Sequence, residues 1–141
     1  MCGIIGIAGL DVSPEEFEKP LQSLARRGPD DRGIIHFPKA QIAQTRLSII
    51  DLSTGHQPMK DVKSDIAIVF NGEIFNYKEL RRVLEQKGHQ FVTQSDTEVI
   101  LKSYIEYGEK CPEYLDGQFA LAIWDNEKER LFLARDRFGE K

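Results

Sequence analysis

Cysteine and tryptophan are scarce in this chain of 141 residues: there are two cysteines, Cys2 and Cys111, and one tryptophan. Two cysteines cannot build the disulfide framework that props up small secreted domains. A domain of this length buries roughly two-thirds of its unfolded surface and needs no such staples. Basic charge is also short, with 19 Lys and Arg against 23 Asp and Glu and a net charge of −4. Neither half is net basic, which argues against an electrostatic nucleic-acid footprint. No stretch approaches the ~20 apolar residues of a membrane span. The apolar start at residues 4–10 lacks a basic segment ahead of it and is short for a secretory signal. Repeats, low-complexity tracts and linkers are missing too. What remains is ordinary soluble composition, 40% hydrophobic and 30% charged. The expectation is one continuous fold, reduced and cytoplasmic, with neither membrane nor nucleic acid as a partner.

The apolar segments come in two kinds. Segments 2–10, 66–70, 119–124 and 131–134 are short and continuously apolar, which predicts strands buried on both faces. Segments 33–37 and 40–50 predict two more, joined at Pro38-Lys39. The polar connection 125–129 makes 119–124 and 131–134 an antiparallel hairpin. The other kind has helical spacing. Leu80, Val83 and Leu84 predict a helix over 78–87, with Asn76 and Glu79 as its capping pair and Gly88 as its stop. Ile100, Leu101, Tyr104 and Ile105 predict a second over 97–107, with Ser95 and Glu98 as a capping box and Gly108 as the end. Ser13, Pro14 and Glu16 start a third, which Pro20 is expected to kink or split. Doubly buried strands with amphipathic helices suggest layers. The predicted fold class is α/β (α+β), a four-layer αββα sandwich, with an open α+β sheet as the alternative.

Cys2 is the sharpest chemical feature. Removal of Met1 would leave it first in the chain, carrying a thiol and a free α-amine on one carbon. An α-amine with a pKa of about 7.7–8.0 is a competent general base near neutral pH. Such a thiol needs no histidine partner. Polar clusters at element ends supply the rest: Arg27-Gly28-Pro29-Asp30, Arg46, Asn71-Gly72-Glu73 and Ser95-Asp96. Taken singly each has an ordinary reading, as a surface arginine, a turn or a helix cap. Together they fit one ligand. Arg46 would clamp a carboxylate with two charge-assisted bonds. Asp96 and Glu73 would hold an α-ammonium. The Asn71 amide and the Gly72 backbone N–H would receive an oxyanion, each such donor being worth about 2.7–4 kcal/mol. The implied substrate is a free α-amino acid with an amide side chain.

At this point the motifs Met1-Cys2-Gly3-Ile4-Ile5-Gly6, Arg27-Gly28-Pro29-Asp30-Asp31, Arg46-Leu47-Ser48-Ile49-Ile50-Asp51, Asn71-Gly72-Glu73-Ile74, Ser95-Asp96-Thr97-Glu98, Leu115-Asp116-Gly117-Gln118 and Arg135-Asp136-Arg137-Phe138-Gly139-Glu140-Lys141 stand in consistent order. The chain resembles the class II glutamine amidotransferases, which are N-terminal-nucleophile hydrolases, and among them the N-terminal part of glutamine-hydrolysing asparagine synthetases. The resemblance implies that Cys2 attacks the glutamine side-chain amide, with its α-amine as proton shuttle. It implies that Asn71 and Gly72 form the oxyanion hole. It gives the α-carboxylate to Arg46, with backbone from Leu47, Ile49 and Ile50 lining the pocket, and the α-ammonium to Glu73 and Asp96. Ammonia would pass to a synthetase domain that activates aspartate with ATP and Mg²⁺. No cofactor or metal is expected in this chain itself.

Two departures from that pattern shape the expectations. No Ser-Gly-Gly-x-Asp-Ser nucleotide motif occurs, so a synthetase domain is expected to be absent. The family continues beyond its Arg-Asp-Arg-Phe-Gly-Glu-Lys segment with further strands, so the amidotransferase domain over residues 1–141 is expected to be incomplete at its C-terminal end, with an apolar sheet edge near 131–134. The alternative readings are a non-catalytic fragment or glutamine-binding interaction module, using that edge to form a homodimer, and an amidotransferase for a different ammonia acceptor. His36, His56 and His89 show no ligand spacing and are expected in surface or packing roles. Cys111 is expected to be a buried or neutral thiol.

Overall fold

The computed structural model describes residues 2–47 and 55–141. Two antiparallel sheets stack face to face between helices. The first carries β1 (Gly3–Ala8), β2 (Asp31–Phe37) and β3 (Ala40–Arg46) in the order β1-β3-β2. The second carries β4 (Met59–Asp61), β5 (Ile66–Ile74), β6 (Gly117–Asp125) and β7 (Arg130–Arg135) in that order. Helix α1 (Pro14–Ser23) covers the outer face of the first sheet, and α2 (Tyr77–Gln86) and α3 (Asp96–Tyr107) cover the outer face of the second. This is the αββα sandwich. Among the described residues no helix is long and apolar enough to cross a membrane.

Strand parity explains the layers, since alternate side chains point to opposite faces. Ala43, Ile5, Ile7 and Ile34 meet Phe17 and Leu21 of α1. Ile42, Ala40, Ile4 and Ile35 point the other way, onto Ala67, Val69, Ala122 and Trp124 of the second sheet. The opposite parity of β5 and β6, Ile68, Phe70, Leu121 and Ile123, meets Leu80, Leu84, Ile100, Leu101 and Tyr104. The segments at 66–70 and 119–124 are thus apolar at every position because both of their faces are covered.

The doubly buried expectation fails at two strands. β1 is mostly half-buried, and β7 lies at the edge with Leu133 67% exposed. Among the described residues each has a strand neighbour on one side only. The β6–β7 hairpin forms as expected. β5 does not stop at Phe70 but runs on through Asn71, Gly72 and Glu73 to Ile74. The short strand β4 and the 3₁₀ segment Gly108–Tyr114 escaped the sequence pattern, because neither is long enough to show a period. The predicted strand 40–50 is seen as far as Arg46, and 48–50 lie outside the described residues.

Helix ends differ in instructive ways. The Ser13–Glu16 capping box forms in full. α1 then continues through Pro20, neither split nor ended. Pro20 removes one N–H at the seventh helical position, and burial of Phe17 and Leu21 on β3 holds the turn together. Asn76 does not cap α2 with its side chain. It instead donates to the Tyr114 carbonyl and accepts from the Asp116 N–H, tying the start of α2 to the β6 approach. Ser95 caps α3, but Glu98 forms only half of the box. Its carboxylate turns to the Val92 and Thr93 amides instead of the Ser95 N–H. Cys111 is fully buried, and burial pushes its thiol up to about 12, so it is neutral.

The inter-sheet layer is where a cavity should cost most. Ile42→Ala is expected to destabilise the chain by about 2–5 kcal/mol, read from the midpoint of urea unfolding with an unchanged slope. A loss below about 1 kcal/mol would show that the two sheets do not close on this side chain.

Candidate active site

The predicted residues converge where the two sheets meet. Gly3 pairs with Thr45 in the β1–β3 ladder, so the next register position sets Cys2 opposite Arg46. Both are half-buried. Leu47 follows directly and is half-buried as well. Ile49 and Ile50, the other predicted pocket positions, lie outside the described residues.

The segment Arg27-Gly28-Pro29-Asp30 is built onto the end of β3. Pro29 bridges to Arg46, and the Asp30 N–H donates to the Arg46 carbonyl at 3.0 Å. A Cβ at Gly28 would stand 2.3 Å from the Thr45 carbonyl carbon and 2.4 Å from the Arg46 nitrogen. Backbone lies on backbone there, and only glycine leaves room. This seats Arg27 so that its Nε reaches the Cys2 carbonyl at 3.4 Å. Thr45 adds a bond from its hydroxyl to the Leu24 carbonyl. The loop after α1 therefore fixes both Cys2 and Arg46 from outside the ladder.

Across the sandwich, Asn71, Gly72 and Glu73 lie on β5. Gly72 faces Phe119 of β6, whose N–H and C=O both turn to Asp136 on the far side. In an antiparallel pair such opposite residues do not bond each other, so the backbone groups of Gly72 point away from β6. Phe70 and Ile74 share that parity. The Phe70 N–H donates to Gln57 Oε1 at 2.6 Å, and the Ile74 N–H donates to Asp96 Oδ2 at 3.2 Å. The Gly72 N–H lies in the same row, between those two. A Cβ at Gly72 would be 2.1 Å from the Gln118 carbonyl, and one at Gly117 would be 2.2 Å from the Glu73 carbonyl. β5 and β6 close tightly here because each places a glycine where the other strand's carbonyl comes near.

Asp96 opens α3 and reaches back to β5 through the Ile74 bond. Burial pushes its carboxyl above the ordinary range, and the nearby Glu73 charge pushes the same way. The amides of Ile74 and of its own first turn pull it back without cancelling the rise. Two neighbouring carboxylates, one of them desolvated, form a site that favours a cation.

The structure thus brings together Cys2 with Arg46, and Asn71, Gly72 and Glu73 with Asp96. Sequence reasoning missed Gln44 and Gln57. Gln44 is 1% exposed on β3 and donates to the Phe70 carbonyl at 2.6 Å. β3 carries a second glutamine, Gln41, so nothing in the strand's sequence singles Gln44 out. The histidines sit in local pairs: His36 with Gln41, His56 with Asp31, and His89 with Glu106.

Comparison with known proteins bears on this geometry. A family model described as a glutamine amidotransferase domain matches residues 1–141. Asparagine synthetase [glutamine-hydrolyzing] 3 of Bacillus subtilis is 41% identical over 147 residues, covering 100% of this chain and 24% of that protein. The asparagine synthetase [glutamine-hydrolyzing] of Triphysaria versicolor is 39% identical, covering 99% of this chain and 24% of that protein. The chain therefore spans about a quarter of the length of these relatives. Among solved structures, glutamine phosphoribosylpyrophosphate amidotransferase from B. subtilis superposes with a TM-score of 0.71 at 23% identity, covering 94% of this chain and 37% of that one. At that identity the likeness speaks for the fold.

Asp96 gives this site a stability signature. A carboxyl with a raised folded-state pKa favours the folded state fully below the ordinary value of about 3.9. That contribution is lost as pH climbs through the raised folded value. Asp96→Asn is therefore expected to melt higher than the parent at pH 7, with the gap closing below about pH 4. Equal melting temperatures at both pH values would contradict the buried, crowded carboxylate.

Proposed function

The chain belongs to the glutamine amidotransferase domain family, and from that premise we propose that its site hydrolyses the side-chain amide of L-glutamine to glutamate and ammonia. The observation that supports this most is the Gly72 N–H, aligned on the outer edge of β5 beside Asn71, with the Asp96 and Glu73 carboxylates one step further along and the Cys2–Arg46 pair on the facing sheet.

Removal of Met1 frees the Cys2 α-amine. The amine takes the thiol proton as Sγ attacks the amide carbon of glutamine. The carbonyl oxygen becomes an oxyanion and accepts from the Asn71 amide and the Gly72 N–H. The tetrahedral intermediate collapses, the C–N bond breaks, and the proton held by the amine goes to the leaving nitrogen as ammonia. A γ-glutamyl thioester remains on Cys2. Water, deprotonated by the same amine, attacks the thioester, and the thiol recovers its proton as glutamate departs. Arg46 holds the α-carboxylate, with Leu47, Ile49 and Ile50 along the pocket, while Asp96 and Glu73 hold the α-ammonium. This divides the substrate sensibly: charge anchors at one end, the reacting amide at the other.

The names of the longer asparagine synthetase relatives couple glutamine hydrolysis to asparagine synthesis. We propose the same destination for the ammonia here, with aspartate activated by ATP and Mg²⁺ in a synthetase portion outside these residues.

Cys2→Ala and Cys2→Ser are expected to reduce glutamate release to background with an unchanged far-ultraviolet spectrum, and a chain that retains Met1 should be equally inactive. Glutamate release by the Cys2→Ala protein would end the nucleophile assignment. Arg46→Ala should act mainly on binding. Loss of charge-assisted bonds worth about 1.5–3 kcal/mol raises KM for glutamine about 10- to 100-fold with a smaller change in kcat. A large fall in kcat at unchanged KM would move Arg46 out of the carboxylate site.

A further inference from the structure

Two glutamines outside the proposed catalytic set hold the peptide that precedes the oxyanion donors. β4 ends its ladder at Met59, paired with Ile68. Continued register would put residue 57 opposite Phe70. β4 begins at Met59, so its backbone ladder does not reach that position. Phe70 therefore presents an N–H and a C=O to an edge where, among the described residues, no strand backbone answers. The side chain of Gln57 takes the N–H through Oε1, and the side chain of Gln44 gives its Nε2–H to the C=O, each at 2.6 Å. One primary amide supplies an acceptor and the other a donor, and together they replace the missing strand residue.

We propose that Gln44 and Gln57 are positioning residues that clamp the Phe70 peptide and thereby aim the Asn71–Gly72 donor pair at the amide carbonyl of glutamine. The proposal rests on the glutaminase reading above and extends it.

The anchoring of each glutamine supports the role. Gln44 belongs to β3, which ends two residues later at Arg46 and pairs with the strand that follows Cys2. Its bond to Phe70 crosses from the first sheet to the second, so it sets the height of the donor strand relative to the nucleophile. It is 1% exposed, and an amide there without a partner would be costly. Gln57 also donates from Nε2 to Thr97 Oγ1 at 3.2 Å, and its own carbonyl packs on Gly33 of β2, where a Cβ would stand 2.2 Å away. Thr97 follows Asp96 on α3. Gln57 thus connects the strand bearing the oxyanion donors to the helix turn bearing the ammonium site. Neither glutamine is placed to touch substrate, and a displacement of about 1 Å in a reacting group can cost on the order of 10²-fold in rate.

The experiment compares Gln44→Met, Gln57→Met and Gln57→Glu in the full chain, reading glutamine hydrolysis together with backbone amide exchange at Phe70, Asn71 and Gly72. Both methionine variants keep length and lose the bond to Phe70. They are expected to lower kcat about tenfold or more with KM for glutamine within about threefold, and to speed exchange at Phe70 and Gly72. Gln57→Glu keeps an acceptor for the Phe70 N–H and should recover most of the kcat lost in Gln57→Met. Alkylation of Cys2 by iodoacetamide should run at the parent rate in all three, since the thiol itself is not altered. Folded methionine variants with kcat within twofold of the parent, or with the loss confined to KM, would overturn the clamp. So would failure of Gln57→Glu to recover any of the kcat lost in a folded Gln57→Met. A parent chain that hydrolyses no glutamine would remove the glutaminase reading. Amide exchange then decides the clamp by itself, and parent rates at Phe70 and Gly72 in both methionine variants overturn it.

Discussion

The site depends on a short strand. β4 pairs with only the first part of β5 and, among the described residues, leaves the edge beyond Ile68 without a strand neighbour. Unpaired strand edges are usually a liability. Here three alternate residues turn their amides to that edge, and side chains answer two of them: Gln57 at Phe70 and Asp96 at Ile74. The amide between them belongs to Gly72. A longer β4 would have covered all three with backbone. An exposed edge without side-chain partners would have left a loose strand. The arrangement keeps β5 fixed at both sides of the one amide that the proposed reaction requires.

The sandwich makes this edge useful by placing it against the right neighbours. The apolar layer between the sheets sets β3 against β5, and Gln44 crosses that layer to Phe70. A buried polar group is tolerable when its bonds are made, and a satisfied one adds specificity of register that apolar packing lacks. The same β3 delivers Arg46 and, through its ladder with β1, lies beside Cys2. Close backbone approaches at Gly28, and at Gly72 and Gly117 of the β5–β6 ladder, tighten both halves. Under the proposed function, one half would carry the nucleophile and the carboxylate anchor, and the other the oxyanion donors and the ammonium anchor.

Much of this was legible in the sequence, for definable reasons. Segments 66–70 and 119–124 show apolar side chains at every position, and burial on both faces follows directly. The Ser13–Glu16 and Ser95 caps follow from short-range hydrogen bonding. The catalytic candidates were legible through residue chemistry: a second-position cysteine, an arginine ending a strand, an Asn-Gly after an apolar run, an acid at a helix start. Long-range bonding was not legible. Asn76 bonds to the 114–116 backbone and not to its own helix, and Glu98 turns to Val92 and Thr93, because tertiary partners displaced the local ones. The run of β5 through Asn71-Gly72-Glu73 was hidden for a related reason. Local turn chemistry at Asn-Gly reads as a strand end, whereas packing against glycine-bearing β6 carries the strand onward. Gln44 and Gln57 could not be selected from sequence because their meaning lies in a register between strands that are far apart in the chain.

The acidic end of the site shows the cost of this design. Asp96 is held in a desolvated position with Glu73 close by, and its carboxyl is raised accordingly. Nothing in the packing of α3 requires an ionised acid there, since the Ile74 N–H would donate to any acceptor oxygen at that position. An uncharged side chain would relieve the repulsion and fold more stably. Under the proposed function the α-ammonium of glutamine is the cation that would share this site. Its binding would neutralise the repulsion between the two carboxylates, so part of the binding free energy would be relief of repulsion already present in the protein. An amide substrate that lacks the ammonium forgoes this gain, whatever contacts its other end makes with Gly72 and Cys2. Under the proposed function, discrimination for a free amino acid over a blocked or peptide-bound glutamine would follow from the same crowding that lowers the stability of the fold.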